Sequence, residues 1–286
     1  MTESTGVVTD STTRCGVQSR TAAEDIRGTA PQVGAYCFLP APGPWPQQIP
    51  PAEPGRFPRL DGARTLYYRP YPGQPTTETP FFWDTTRRRI HRPSPLGGWA
   101  PAGPGERFLG VCVHGRHDTC CGRRGGGLLR RVADLLPRAP VYGVSHLGGD
   151  RFSATAILLP GGYLLGRLDD LPDEQLYELV TRGLLPLGHL RGRLGTTPVE
   201  SVAEIWYRET FQRRDPMLAP TTTVVGAAAT TGLSEVLVED TGHRWRLAIS
   251  REQRGESPIH YTCTAPLSRP VYGWSVSLVE ETALSS

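Results

Sequence analysis

Apolar positions change their period several times along the chain, and each change predicts an element. Phe108–Val113 is continuous and β-prone, the pattern of a buried strand. Leu128, Leu129, Val132, Leu135 and Leu136 then fall at helical spacing, with Arg130, Arg131 and Asp134 off that stripe. This predicts an amphipathic helix over 126–136, stopped by Pro137. Val141–Val144 reads as a short strand, and Phe152–Leu159 and Gly162–Leu168 flank Pro160-Gly161 as a hairpin. Asp173 opens a helix carrying Leu176, Leu179, Val180 and Leu184. The order β-α-β, then β-β-α, is that of a thioredoxin-like core. Val199, Val202, Ala203 and Trp206 make one face of a further helix over 198–212.

On either side of this region the texture differs. Residues 1–30 are polar and read as partly loose. Tyr36–Leu39, Thr65–Tyr68 and Pro80–Trp83 are strand-like runs between Pro-rich loops. Residues 36–92 thus run strand, loop, strand, strand, which makes them a candidate diverged copy of the 108–168 unit. Pro and Gly crowd 93–105 and mark a boundary or a long connection. From 220 to 282, stretches such as "SEVLVED" and "YGWSVSLV" alternate apolar and polar residues, the mark of a small antiparallel sheet. The expected fold class is α/β with a thioredoxin-like core. Its expected divisions are 1–105, an N-terminal α/β region; 106–215, the core; and 216–286, a β-rich appendage.

Composition narrows the function classes. A hydrophobic content of 38% and a charged content of 21% over 286 residues describe a globular chain with a real core. The net charge of +3 is too small to imply nucleic-acid binding. All 31 basic residues are arginine, so there is no lysine for a phosphate loop at "GRRGGG". No apolar run reaches the roughly 20 residues of a membrane span. The N-terminus lacks the basic start and apolar middle of a signal peptide. A cytoplasmic, reducing compartment is the expectation, and there clustered cysteines are metal ligands or catalytic thiols rather than disulfides.

Val111–Gly122, "VCVHGRHDTCCG", holds three of the six cysteines and two of the seven histidines. Cys112 ends a strand and Cys121 precedes a helix. "SHLGGD" places His146 and Asp150 four apart on the loop between two strands. In a β-α-β-β core both loops leave the same end of the sheet, so these four side chains can converge on one centre. A zinc knuckle is absent, as is the Cys-x-x-Cys of dithiol chemistry. Cys15, Cys37 and Cys263 have no partner motif and read as ordinary thiols. His91, His189, His243 and His260 are isolated. Arg116, Arg123 and Arg124 form a basic rim, a docking patch if an acidic redox partner binds there. Arg151 is a candidate partner for Asp150 or Asp118. No facing pair of carboxylates suggests glycoside hydrolysis.

Residues 28–45, 111–122, 145–168 and 190–209 together resemble the sucrase/ferredoxin-like family, a resemblance covering residues 15–212. It implies a thioredoxin-like [2Fe-2S] ferredoxin whose cluster is held by a Cys-x8-Cys pair and a His-x3-His pair. Cys112 and Cys121 match the first pair and His146 matches the first histidine, while Asp150 stands in place of the second. The implied ligand set is Cys112, Cys121, His146 and Asp150. Asp150 either supplies a carboxylate oxygen or orients His146 from behind. In the latter case Cys120, His114 or His117 takes the fourth bond. The implied function is one-electron transfer rather than catalysis, from a flavin-dependent reductase to an oxygenase or other oxidoreductase. A cluster-free thioredoxin-like scaffold and a thiol-based redox enzyme using Cys120 or Cys121 are the competing readings.

Overall fold

Ten short strands pair into one large curled sheet in a computed structural model that describes residues 14–71, 79–228, 232–264 and 268–284. They are β1 (Ala35–Pro40), β2 (Ala63–Pro70), β3 (Phe81–Asp84), β4 (Ile90–Pro93), β5 (Trp99–Pro101), β6 (Phe108–Cys112), β7 (Val141–Val144), β8 (Ala156–Leu159), β9 (Tyr163–Leu165) and β10 (Leu190–Arg193). Their order is β10-β9-β8-β6-β7-β2-β1-β3-β4-β5. Strand β6 is parallel to β7 and antiparallel to β8, which pairs antiparallel with β9. The N-terminal half repeats this scheme: β1 is parallel to β2 and antiparallel to β3, which pairs antiparallel with β4. An antiparallel β2–β7 pairing joins the halves, so strands from either side of residue 105 share one sheet. Helix α2 (Gly126–Leu135) bridges β6 and β7, whereas 41–62 between β1 and β2 is irregular.

Apolar layers cover both faces. On one, Phe38 stacks on Phe81 with centroids 4.3 Å apart and Phe108 on Tyr142 at 4.8 Å, with Tyr68 edge-on to both Phe81 and Phe108. On the other, Leu128, Leu129 and Val132 of α2 and Leu176 and Leu179 of α3 (Asp173–Arg182) cover Leu109, Val111 and Leu158. Helix α4 (Pro198–Thr210) starts at a capping box formed by Thr197 and Glu200. Its Val202 and Ala203 pack against Val236, Trp245 and Leu247 of a second, four-stranded antiparallel sheet. That sheet is β11 (Thr221–Ala228), β12 (Leu233–Glu239), β13 (His243–His260) and β14 (Ser268–Ala283).

Several expectations need correction. Of the stretch expected to be partly loose, 1–13 lie outside the described residues and 14–30 is structured: α1 (Cys15–Thr21) leads to buried Glu24 and Ile26. Its polar residues are satisfied in pairs, with the Ser19 hydroxyl donating to Glu24 at 2.7 Å and Arg151 Nε donating to Glu24 at 2.8 Å. Burial here runs through hydrogen bonds, so no apolar period announces it. The strand expected over Phe152–Leu159 begins at Ala156, because Asp150–Phe152 is a short 3-10 turn. The Pro- and Gly-dense 93–105 contains β5 and carries the sheet onward.

Where α4 meets the large sheet, Glu204 accepts from Arg193 Nε and Arg208 Nε at 2.9 Å each and from Tyr163 Oη at 2.5 Å. All four side chains are buried. Removing the one anion strands two buried guanidiniums. Glu204→Ala is expected to lower stability by about 3–5 kcal/mol, read as a fall in the urea unfolding midpoint.

Candidate metal centre

Parallel pairing aligns Cys112 at the end of β6 with Val144 at the end of β7. The loops that follow therefore leave the same edge of the sheet. After β6 the chain turns through His114 to Asp118 and winds into a wide helical turn, Cys121–Gly125, that runs on into α2. This turn packs so closely that a Cβ on Gly125 would lie 1.9 Å from the Cys112 carbonyl oxygen. Only glycine permits that approach, and it sets Cys121 beside Cys112. After β7 the chain passes through Gly148 and Gly149, both at positive φ, and brings Asp150 back toward the thiols. Buried Arg191 braces this loop, donating to Gly148 O at 2.7 Å and to Thr29 O at 2.6 Å. Burial lowers its pKa to about 10, so it stays charged at neutral pH.

The result is a gathering of donors. One potential ligand atom from each of Cys112, Cys121 and His146 lies within 4.8 Å of the others, and His117, His146 and Asp150 form a second such set. Asp150 Oδ1 is 3.1 Å from Cys121 Sγ and 3.0 Å from His146 Nδ1. Asp150 turns away from Arg151, whose guanidinium pairs with Glu24. Of the reserve positions, His117 stacks on His146 with centroids 3.6 Å apart and stands 3.8 Å from Asp150 Oδ2. His114 Nε2 is 2.8 Å from Pro46 O. Cys120 faces the opposite way, toward Cys263 Sγ at 3.4 Å. Ser153 went unnoticed in the sequence; its hydroxyl lies 3.4 Å from Cys121 Sγ, and nothing in its spacing announces it.

Burying these groups together shifts their protons. The Cys121 thiol beside it, then His146, hold the Cys112 thiol well below its ordinary value. Cys121 is pushed well above it, by Cys112 first and then by burial. Burial favours a neutral His146, but Asp150 and Cys112 outweigh it and raise the imidazole to about 9. Burial likewise opposes a charged Asp150, and His146 and Cys121 overcome that, so its carboxyl is lowered. The single thiol proton of Cys121 faces two acceptors, the Cys112 sulfur and the Asp150 carboxylate. His146 Nδ1 is close enough to Asp150 for an ion pair yet is not aimed along a hydrogen bond. Two thiols, an imidazole nitrogen left without a hydrogen bond and a carboxylate thus point into one small space. That donor set fits a thiophilic transition metal, and the cysteine–histidine group can hold one.

The centre has a dry side and a wet side. Cys112, Cys121 and Asp150 are buried, while the His146 side chain is 18% exposed. It opens onto a cleft of about 290 Å³ lined by Gln47, Arg64, His114 and His117 among others.

A family model described as sucrase/ferredoxin-like matches residues 27–206. No curated protein and no solved structure matches the chain.

In the metal-free chain the raised pKa of His146 has a definite sign. The stabilisation it contributes is complete below the unfolded value near 6.5 and is lost as pH rises through about 9. The urea midpoint of metal-free protein is expected to fall across that window. His146→Gln should flatten the fall.

Proposed function

The chain belongs to the sucrase/ferredoxin-like family, and from that premise we propose that it is an electron-transfer protein whose [2Fe-2S] cluster is held by Cys112, Cys121, His146 and Asp150. The observation that carries this reading is the convergence of the Cys112, Cys121 and His146 donors within 4.8 Å, with Asp150 touching two of them. The strand orders β7-β6-β8-β9 and β2-β1-β3-β4 support a thioredoxin-like core in the second half and a diverged copy in the first.

A [2Fe-2S] centre supplies one-electron oxidation and reduction, at a raised potential where imidazole replaces thiolate. The rest is the work of the chain. Cys112 and Cys121, buried at the end of β6 and the start of the wide turn, bind as thiolates and keep water from the inner side. His146 lines the cleft and is the partly exposed member of the donor group. To ligate, His146 gives up the proton it holds below pH of about 9 and Cys121 gives up its thiol proton, so loading the site releases protons. Asp150, with Oδ1 3.1 Å from Cys121 Sγ, takes the fourth position. Exposed Arg64 in the cleft wall, with exposed Arg116 next in sequence to the lining His117, suits an acidic docking surface on a reductase or an acceptor oxidoreductase, and charge of this kind steers encounter. No helix among the described residues is long and apolar enough to cross a membrane. We place the protein in the cytoplasm, where such thiols stay reduced.

The turn of buried Cys120 toward Cys263 weighs against an enzyme that pairs Cys120 with Cys121. The two vicinal sulfurs serve different clusters of side chains.

Anaerobic purification followed by iron and sulfide analysis is expected to give about two of each per chain, with a visible spectrum and a reduced-state EPR signal. Asp150→Ala should shift the spectrum or lose the cluster, whereas His114→Ala should do neither. A colourless protein that resists reconstitution would sink the reading.

A further inference from the structure

Three cysteines that the electron-transfer reading does not use meet on the other side of the Cys120–Cys121 pair. Cys15 Sγ is 3.5 Å from Cys263 Sγ, and Cys120 Sγ is 3.4 Å from the same atom. Asp118 completes the group, its two carboxylate oxygens each 3.9 Å from Cys15 Sγ. One ligand atom from each of the four lies within 4.8 Å of the others. Cys15, Asp118 and Cys120 are buried, and Cys263 is partly so. The carboxylate is held in place by the backbone, accepting from Cys120 N at 2.7 Å and from Cys263 N at 2.6 Å. Each of its oxygens keeps a lone pair for a further partner. Among the described residues no arginine or histidine forms an ion pair with Asp118, so a buried anion stands beside two buried sulfurs and a partly buried one without a paired cation.

We propose that Cys15, Cys120, Cys263 and Asp118 form a second metal site, a structural zinc centre independent of the first. The geometry suits a single tetrahedral ion. A Zn–S bond of about 2.3 Å in a tetrahedron separates its sulfurs by roughly 3.8 Å, a few tenths of an ångström beyond the closest separations here. Zinc takes thiolate and carboxylate donors together and imposes no geometry of its own. Three thiols give up their protons as the ion binds, and the ion supplies the positive charge the pocket lacks.

The ligands come from α1, from the loop ahead of α2 and from the turn after β13. Cys15 and Cys263 are 248 positions apart. One ion would therefore tie the N-terminal helix and the C-terminal hairpin to the loop that carries Cys121. The same seam is already lined with weaker contacts. His260 N donates to Gln18 at 2.8 Å, and the Arg151 guanidinium lies over the Tyr261 ring at 3.6 Å. Cys15 and Cys263 both fall outside residues 27–206, the part matched by the family model.

Metal analysis of the full-length chain by inductively coupled plasma mass spectrometry is expected to find about one zinc per chain, beside any iron. The paired Cys15→Ser and Cys263→Ser substitutions should reduce zinc to below about 0.1 per chain and leave iron and the visible spectrum in place. Cys112→Ser should do the reverse. X-ray absorption at the zinc edge of the unsubstituted protein needs no variant to fold, and it should read a shell of three sulfurs and one oxygen. A shell containing imidazole nitrogen would put the ion at His146 and overturn the proposal. So would the absence of stoichiometric zinc, iron or copper in its place, or a disulfide among Cys15, Cys120 and Cys263 in the purified chain.

Discussion

Parallel pairing of β6 with β7, in the register that sets Cys112 opposite Val144, is the constraint from which the rest follows. Parallel neighbours point their C-terminal ends the same way, so the loop with Cys121 and the loop with His146 emerge together. A shift of one residue would turn the Cys112 side chain to the other face of the sheet. The register is held by burial on both faces, from Val111 under α2 to Val144 among the aromatic residues. The centre is thus an outgrowth of the core rather than a feature laid on top of it. Two backbone devices complete it: the Gly125 approach to Cys112, and the turn through Gly148 and Gly149 that Arg191 braces.

Charge explains why these groups tolerate burial. A thiolate at Cys112 and a carboxylate at Asp150 are costly to desolvate, and the imidazolium of His146 between them offsets that cost. A metal cation held there would replace the protons in the same role, so loading the site would exchange protons for metal. Among the described residues no histidine or arginine forms an ion pair with Asp118 in the second cluster. Burial and the nearby Asp150 raise its carboxyl to about 6.

Much of the architecture was legible. The strand at Phe108, the α2 stripe, the Pro160-Gly161 hairpin and the C-terminal alternation all appear close to where periodicity put them, because each buries an apolar face. The stretches that escaped are those whose burial is polar. Helix α1 hides behind Ser19 and Glu24, and the brace at Arg191 behind an ordinary-looking "LRGRLG". Hydropathy reads the transfer of apolar surface and is blind to a buried polar group satisfied by a distant partner.

For the donors the division is just as clear. Spacing within "VCVHGRHDTCCG" and "SHLGGD" was enough to nominate Cys112, Cys121, His146 and Asp150, since local order and strand topology suffice to bring two loops to one edge. Sequence could not say which way Asp150 or Arg151 would turn, nor that neighbouring Cys120 and Cys121 would face different clusters. It gave no reason to connect Cys15 with Cys263. Those outcomes depend on contacts across 29 to 248 positions of chain, the longest of them set by how α1 and the β13–β14 hairpin close over the core. No local pattern encodes such a closure; only the packed structure brings those side chains within reach.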